Sequence, residues 1–313
     1  MKITMESTTT SQVAKRITAL RDASGVVALG RVLTLVISTD ADGVEPALRA
    51  ANAASLEHPC RIVVLALGDP AGPDRLDAEI RVGGDAGASD IVILHCSGAN
   101  AEPTESLVAA LLLPDAPIVV WWPGLAPHIP AETALGRLAH RRITDTAASQ
   151  HAERALWARR DGHRAGDTDL AWTRLTAWRT QMAAILDDLD ASEITAVAVD
   201  GAPDSPSTLL LAAWLTLGLR VPVTIAHTQR GHGIRAVRLR RDRGDVVLSR
   251  SQSEVAKLYQ QGRPVQRISL PRRTDQDCLA EELRRLDPDV ILGQVLSEGL
   301  PRTDLEAVLA SER

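Results

Sequence analysis

Apolar and polar positions alternate with two clear periods along the chain. Val13, Ile17 and Leu20 recur at helical spacing across residues 8–22, behind a Thr/Ser cluster that suits a helix start. Residues 32–37 are an unbroken Val/Leu/Thr/Ile run of strand type, closed by Thr39, Asp40 and Asp42 as turn chemistry. A helix is expected over 46–56, and a second buried strand over 61–67, ended by Gly68-Asp69-Pro70. Residues 76–82 alternate as a half-exposed strand would, and short apolar strands at 91–94 and 118–121 flank a helix at 105–113. Buried strands alternating with helices predict a mostly parallel sheet covered by helices.

The texture changes near residue 150. Residues 151–164 are polar and Arg-rich, and Asp161-Gly162-His163-Arg164-Ala165-Gly166 has the composition of a linker. A long helix is expected from about 168 to 188, its apolar stripe formed by Leu175, Trp178, Met182, Ile185 and Leu189. Strands at 194–199 and 221–226 flank a helix at 207–217, and strands at 234–240 and 245–248 flank the turn Asp242-Arg243-Gly244 as a hairpin. A strand at 265–270, a helix at 275–286 and a final strand-helix pair complete the pattern. The expectation is therefore an α/β protein of two domains, 1–150 and 167–313, joined by a linker at 151–166. Each domain should hold a mostly parallel sheet covered by helices, the second with an antiparallel hairpin.

Composition sharpens this picture in three places. There is no Phe and one Tyr, but there are six Trp, so aliphatic side chains fill the core and each Trp carries extra weight. The net charge of −5 argues against nucleic acid or an anionic membrane as partner. No apolar run reaches spanning length and no signal segment is visible, so a cytoplasmic protein is expected. Cys60, Cys96 and Cys278 are far apart and form no CxxC pair, which suits structural thiols.

Familiar catalytic motifs are missing: there is no GxxxxGK[ST] loop, HExxH, GxSxG or CxxC. Among candidate residues, Asp169, Trp172, Thr176 and Arg179 fall on a second stripe of the long helix. That stripe is either a contact surface or a second buried side. Trp121 and Trp122 end a strand pointing to opposite faces, so one is core and the other, taken as Trp122, faces a helix or a groove. Anion or phosphate handling has three candidate places. They are Asp200 with Ser205 and Ser207 between a strand and a helix N-terminus, Gly84 and Gly87 in a glycine-rich loop, and His227 with Arg230. Each reads equally as ordinary cap or turn chemistry. The Arg-rich hairpin (Arg235, Arg238, Arg240, Arg241, Arg243) is either solvated and paired with Asp242 and Asp245 or a dock for an acidic surface or phosphorylated ligand.

Several segments resemble the OpcA family, in the family's order: Ala28-Leu29-Gly30-Arg31-Val32-Leu33-Thr34-Leu35-Val36, Glu57-His58-Pro59-Cys60-Arg61, Arg81-Val82-Gly83-Gly84-Asp85-Ala86-Gly87-Ala88-Ser89, and Leu112-Leu113-Pro114-Asp115-Ala116-Pro117. The strongest are Trp121-Trp122-Pro123-Gly124 and Asp169-Leu170-Ala171-Trp172-Thr173-Arg174-Leu175-Thr176-Ala177-Trp178-Arg179. The resemblance, closest to the actinobacterial branch, implies a non-catalytic partner that promotes the active oligomer of glucose-6-phosphate dehydrogenase and so raises flux into the pentose phosphate pathway. It brings no catalytic residue to carry over; from the scattered histidines and cysteines no metal is expected, and no cofactor is expected either. The runner-up reading is an enzyme or sensor domain for a sugar phosphate or nucleotide near Asp200 and the Gly84 loop.

Overall fold

The computed structural model describes residues 2–24, 32–82, 89–202, 205–227, 233–251 and 254–303. The chain forms two compact units, and it passes between them more than once. The first unit takes Met1–Ala148, Gly166–Thr168 and Asp275–Pro288. The second takes Ser149–Ala165, Asp169–Thr274 and Asp289–Arg313.

In the first unit the strands are β1 (Lys2–Met5), β2 (Leu33–Asp40), β3 (Cys60–Leu67), β4 (Arg75–Arg81), β5 (Asp90–Ser97), β6 (Ile118–Trp121), β7 (Arg141–Thr144) and β8 (Asp167–Asp169). They form one sheet in the order β1-β4-β5-β3-β2-β6-β7-β8. β2 pairs parallel with β3 and β6, β3 with β5, and β6 with β7. The central strands β2 and β3 are buried at every position but the last, as continuous aliphatic runs require when both sheet faces are covered. β4 alternates, with Leu76, Ala78 and Ile80 inward, and pairs antiparallel with β5 and β1 near the sheet edge. Val13, Ile17 and Leu20 of the helix Thr10–Ser24 pack on this sheet together with Trp122 and Leu135.

The second unit contains β9 (Ile194–Gly201), β10 (Val223–His227), β11 (Ile234–Arg241), β12 (Val246–Ser249), β13 (Val255–Gln260) and β14 (Gln266–Ser269), ordered β10-β9-β11-β12-β13-β14. Two α/β units are present as expected, but the second sheet departs from the mostly parallel form. Only β9 and β10 pair parallel, and the antiparallel part extends past the expected hairpin through β13 and β14. β13 escapes a sequence reading because its inward residues, Ala256 and Leu258, are only two. The segment from 290 to 302 is helical, Val290–Gln294, Val295–Gly299 and Leu300–Arg302, with no final strand among the described residues.

Three further differences have physical causes. The expected linker at 151–166 holds the helix Ala152–Gly162, whose Leu156 enters the core although Glu153, Arg154, Arg159, Arg160 and Asp161 make the segment read as polar. The long helix is broken into Leu170–Thr173 and Thr176–Asp187, the first capped by Asp169, whose carboxylate accepts from the Ala171 N–H at 2.9 Å. The helix Asp275–Arg284 belongs to the first unit, lying against the helix Val44–Ala54. Among the described residues, no helix is long and apolar enough to cross a membrane.

Candidate functional site

Within the first sheet, the run β5-β3-β2-β6-β7-β8 has the chain order third, second, first, fourth, fifth, sixth. In open α/β sheets of this order, ligands bind beyond the carboxyl ends of the strands where the order reverses. That point lies between β2 and β6, and a cleft of about 500 Å³ opens there, lined by Thr39, Asp40, Gly43, Trp121, Pro123 and Asp275 among others.

The turn after β2 reads Thr39-Asp40-Ala41-Asp42-Gly43. Gly43 caps the helix Val44–Ala54, and its N–H already donates to Asp40 Oδ1 at 2.8 Å. Glu45 stands in the first turn of the same helix. A Cβ at Gly43 would come within 2.1 Å of Thr39 Oγ1, so the turn is closely packed. A dinucleotide needs free amides and no negative charge where its pyrophosphate sits. Here the amide is taken and the carboxylates of Asp40 and Asp275 line the cleft, while Glu45 turns to Arg81 at 3.0 Å, so these residues do not fit that cofactor. Of the two tryptophans, Trp121 lines the cleft, and its buried indole nitrogen has no hydrogen-bond partner among the described residues. Trp122 packs into the first unit's core, which places it on the opposite face from the one expected.

In the second unit, Asp169 and Trp172 are buried and Thr176 and Arg179 are half-buried. Trp172 is 1% exposed, its indole N–H donates to Asp289 Oδ2 at 2.7 Å, and the Arg179 guanidinium lies 3.7 Å from its ring centroid. Of the stripe, Trp172 is part of the core cluster that holds Trp178 and Met182.

Asp200 lies near the end of β9 and lines a pocket of about 230 Å³ with Arg235, Ser249, Arg250, Ser251, Lys257 and Tyr259. Burial raises the Asp200 carboxyl above its ordinary range, and Arg235 offsets part of this. Sequence reasoning passed over Arg250, Lys257 and Tyr259; only strand pairing through β11, β12 and β13 assembles them. Ser207 does not line this pocket, since its hydroxyl donates to the Ala171 carbonyl at 2.8 Å. Ser205 precedes the helix Pro206–Leu219 and makes no side-chain cap. His227 ends β10, while Gly84, Gly87 and Arg230 lie outside the described residues. In the hairpin, Arg238 pairs with Asp245 at 3.0 Å, and Arg241 and Arg243 pair with Glu193.

Cys60, Cys96 and Cys278 form no disulfide among the described residues and are buried, and burial pushes the Cys96 thiol up to about 12. No group of His, Cys, Asp and Glu suited to a metal ion occurs among the described residues.

The molecule is thus a two-unit α/β protein whose first sheet has dinucleotide-fold order and whose switch-point turn has its Gly43 amide taken by Asp40. Two family models match the chain: the glucose-6-phosphate dehydrogenase subunit N-terminal domain over residues 51–161, and the corresponding C-terminal domain over 165–296. The chain belongs to the OpcA family of glucose-6-phosphate dehydrogenase assembly proteins. A search of curated proteins gives no match. Among solved structures, an oxidoreductase from Sinorhizobium meliloti is similar at 12% identity and a TM-score of 0.50, over 90% of this chain and 97% of its own. An NAD-binding oxidoreductase from Klebsiella pneumoniae is similar at 11% identity and a TM-score of 0.44, over 90% and 98%. The first likeness is one of fold.

Proposed function

We propose that this protein is a non-catalytic assembly factor and activator of glucose-6-phosphate dehydrogenase, acting in the cytoplasm by favouring the enzyme's active oligomer. The observation that carries the reading is the pair of family domains, joined to a switch-point turn in which Asp40 and Asp42 stand where a dinucleotide fold needs glycine. A sheet of that order without its phosphate turn is a scaffold.

The docking surface we assign is the exposed face of β11–β14. Arg238 and Arg240 alternate with the buried Val237 and Leu239, and Lys257 and Tyr259 with the buried Leu258. Lys257 stands directly opposite Arg267 across β13 and β14. Like charges at directly paired positions repel, and an acidic partner surface relieves that repulsion. In a chain of net charge −5 this face is a local cationic patch suited to electrostatic complementarity. The double variant Arg238→Glu/Arg240→Glu should weaken activation of the dehydrogenase by at least about tenfold, roughly 1.4 kcal/mol, with the melting temperature little changed. Unchanged activation by the charge-reversed protein removes this face from the account.

A further inference from the structure

We propose that the outer edge of β14 takes up an extended segment of the dehydrogenase, alternating acidic and apolar residues, as an added strand of the second sheet. The proposal rests on the dehydrogenase reading for the identity of the partner, and on the edge itself for the mode of attachment.

β14 ends the sheet order, so one of its sides has no strand neighbour. The Leu270 N–H donates to the Glu254 carbonyl at 2.7 Å, and Arg267 stands opposite Lys257. Along paired antiparallel strands the main-chain groups alternate in direction. Residues 266, 268 and 270 therefore turn theirs toward β13, while Arg267 and Ser269 turn theirs outward. Both of these residues are exposed, and neither makes a backbone hydrogen bond to a further element among the described residues. Pro264 and Pro271, which have no N–H to offer, bound the free edge to the length of one short strand. Main-chain groups left open in this way are a template for pairing with another chain.

The side chains decide which segment fits. Lys257 and Arg267 are a pair whose main-chain groups point apart, the arrangement that brings opposed side chains closest, and both are cations. Neither makes an ion pair among the described residues. Asp245 pairs with Arg238 at 3.0 Å, and Asp200 lies three strands away from Lys257. Glu254 falls on the other side of β13 by alternation. A carboxylate on an added strand beside Arg267 supplies the opposite-charge neighbour that β13 does not. On the other face Ile268 packs against the core cluster and stays partly exposed, so an apolar residue beside it extends that core. Acid beside Arg267 and an apolar side chain beside Ile268 is the alternation of an extended strand. A second copy of this chain suits the edge less, because its own β14 brings a further guanidinium to a place already cationic.

Hydrogen exchange on the full chain, with and without glucose-6-phosphate dehydrogenase, tests this together with two variants. In the saturated complex, residues 265–270 should exchange at least about tenfold more slowly than in the free chain. Ser269→Pro removes one outward N–H and leaves the bonds to β13 in place, so it should keep the wild-type melt and weaken activation at least about tenfold. Arg267→Glu should raise the melting temperature by relieving the repulsion from Lys257, and still weaken activation at least about tenfold. It decides the matter if the proline variant does not fold. A complex that forms with unchanged exchange at 265–270, or full activation by either folded variant, overturns strand addition and leaves the assembly reading standing. Protection of 265–270 that grows with the chain's own concentration overturns it in favour of a second copy. Failure of the wild-type chain to bind or activate the dehydrogenase ends the assembly reading and this proposal with it.

Discussion

Trp172 sits between a carboxylate below its indole N–H and a guanidinium above its ring, so its polar and apolar surfaces are both used inside the second unit. Periodicity gave its stripe two readings, and nothing local chose between them, because Asp289 is 117 residues away in the chain. Truncation to alanine removes a fully buried aromatic, and Trp172→Ala should cost about 3 to 5 kcal/mol in a denaturant melt. Activation per folded molecule should stay as it is; a lost activation with an unchanged melt would return Trp172 to a contact role. Cys60 and Cys96 were legible as small core residues from their apolar strand neighbours, and the structure buries them and Cys278. Native protein should therefore show less than one thiol equivalent to a fast aromatic disulfide reagent, rising to all three cysteines in denaturant. Asp200 gives a pH test. Its folded carboxyl is raised, so the ionised form is disfavoured in the fold and the group works against stability above that raised value. Asp200→Asn should melt higher than wild type at neutral pH. The gain should fade as pH drops toward the ordinary aspartate range near about 4, where both states of the wild type become protonated.

At the scale of elements, what the sequence reveals depends on whether burial is apolar. β2, β3, β5 and β6 announce themselves as aliphatic runs, and the β11–β12 hairpin by the turn at Gly244, whose φ of 100° suits glycine. β7 reads Arg-Arg-Ile-Thr and shows no such run, yet all four residues are buried. Arg142 pairs with Asp167 and Arg141 with Glu282, and Arg141 also reaches the Asp287 carbonyl at 2.6 Å. The Glu282 pair spans 141 residues, which is why the helix Asp275–Arg284 read as part of the second domain. Both partners are about 5% exposed, so losing one leaves a buried carboxylate without its guanidinium. Arg141→Met should cost about 3 to 5 kcal/mol, and Arg141→Met/Glu282→Leu should recover most of it. Paired thermal melts of the single and double variants decide this; a double variant as unstable as the single would mean that packing, rather than charge, dominates there.

For the whole molecule, sequence composition spoke about partners more than about architecture. The arginine-rich hairpin allowed either a solvated, paired turn or a dock, and β11 holds Arg238 and Arg240 outward with Arg238 paired to Asp245 at 3.0 Å. The strand order of the first sheet was not legible, since it depends on which strands pair across long connections. That order gives the missing glycine motif its meaning: the place for a phosphate turn exists, and Asp40 occupies its Gly43 amide. The pocket beside Asp200 was equally hidden, because its cations come from strands that are neighbours only after folding. The central claim, assembly without catalysis, is tested by measuring the activity and oligomer mass of glucose-6-phosphate dehydrogenase together, across a titration with this protein. The account predicts no turnover of glucose 6-phosphate with NADP by this protein alone. On mixing, activity and the mass of the dehydrogenase complex should rise together and saturate at one stoichiometry. Hydride transfer by the isolated protein, or no change in either activity or mass at saturating amounts, would contradict it.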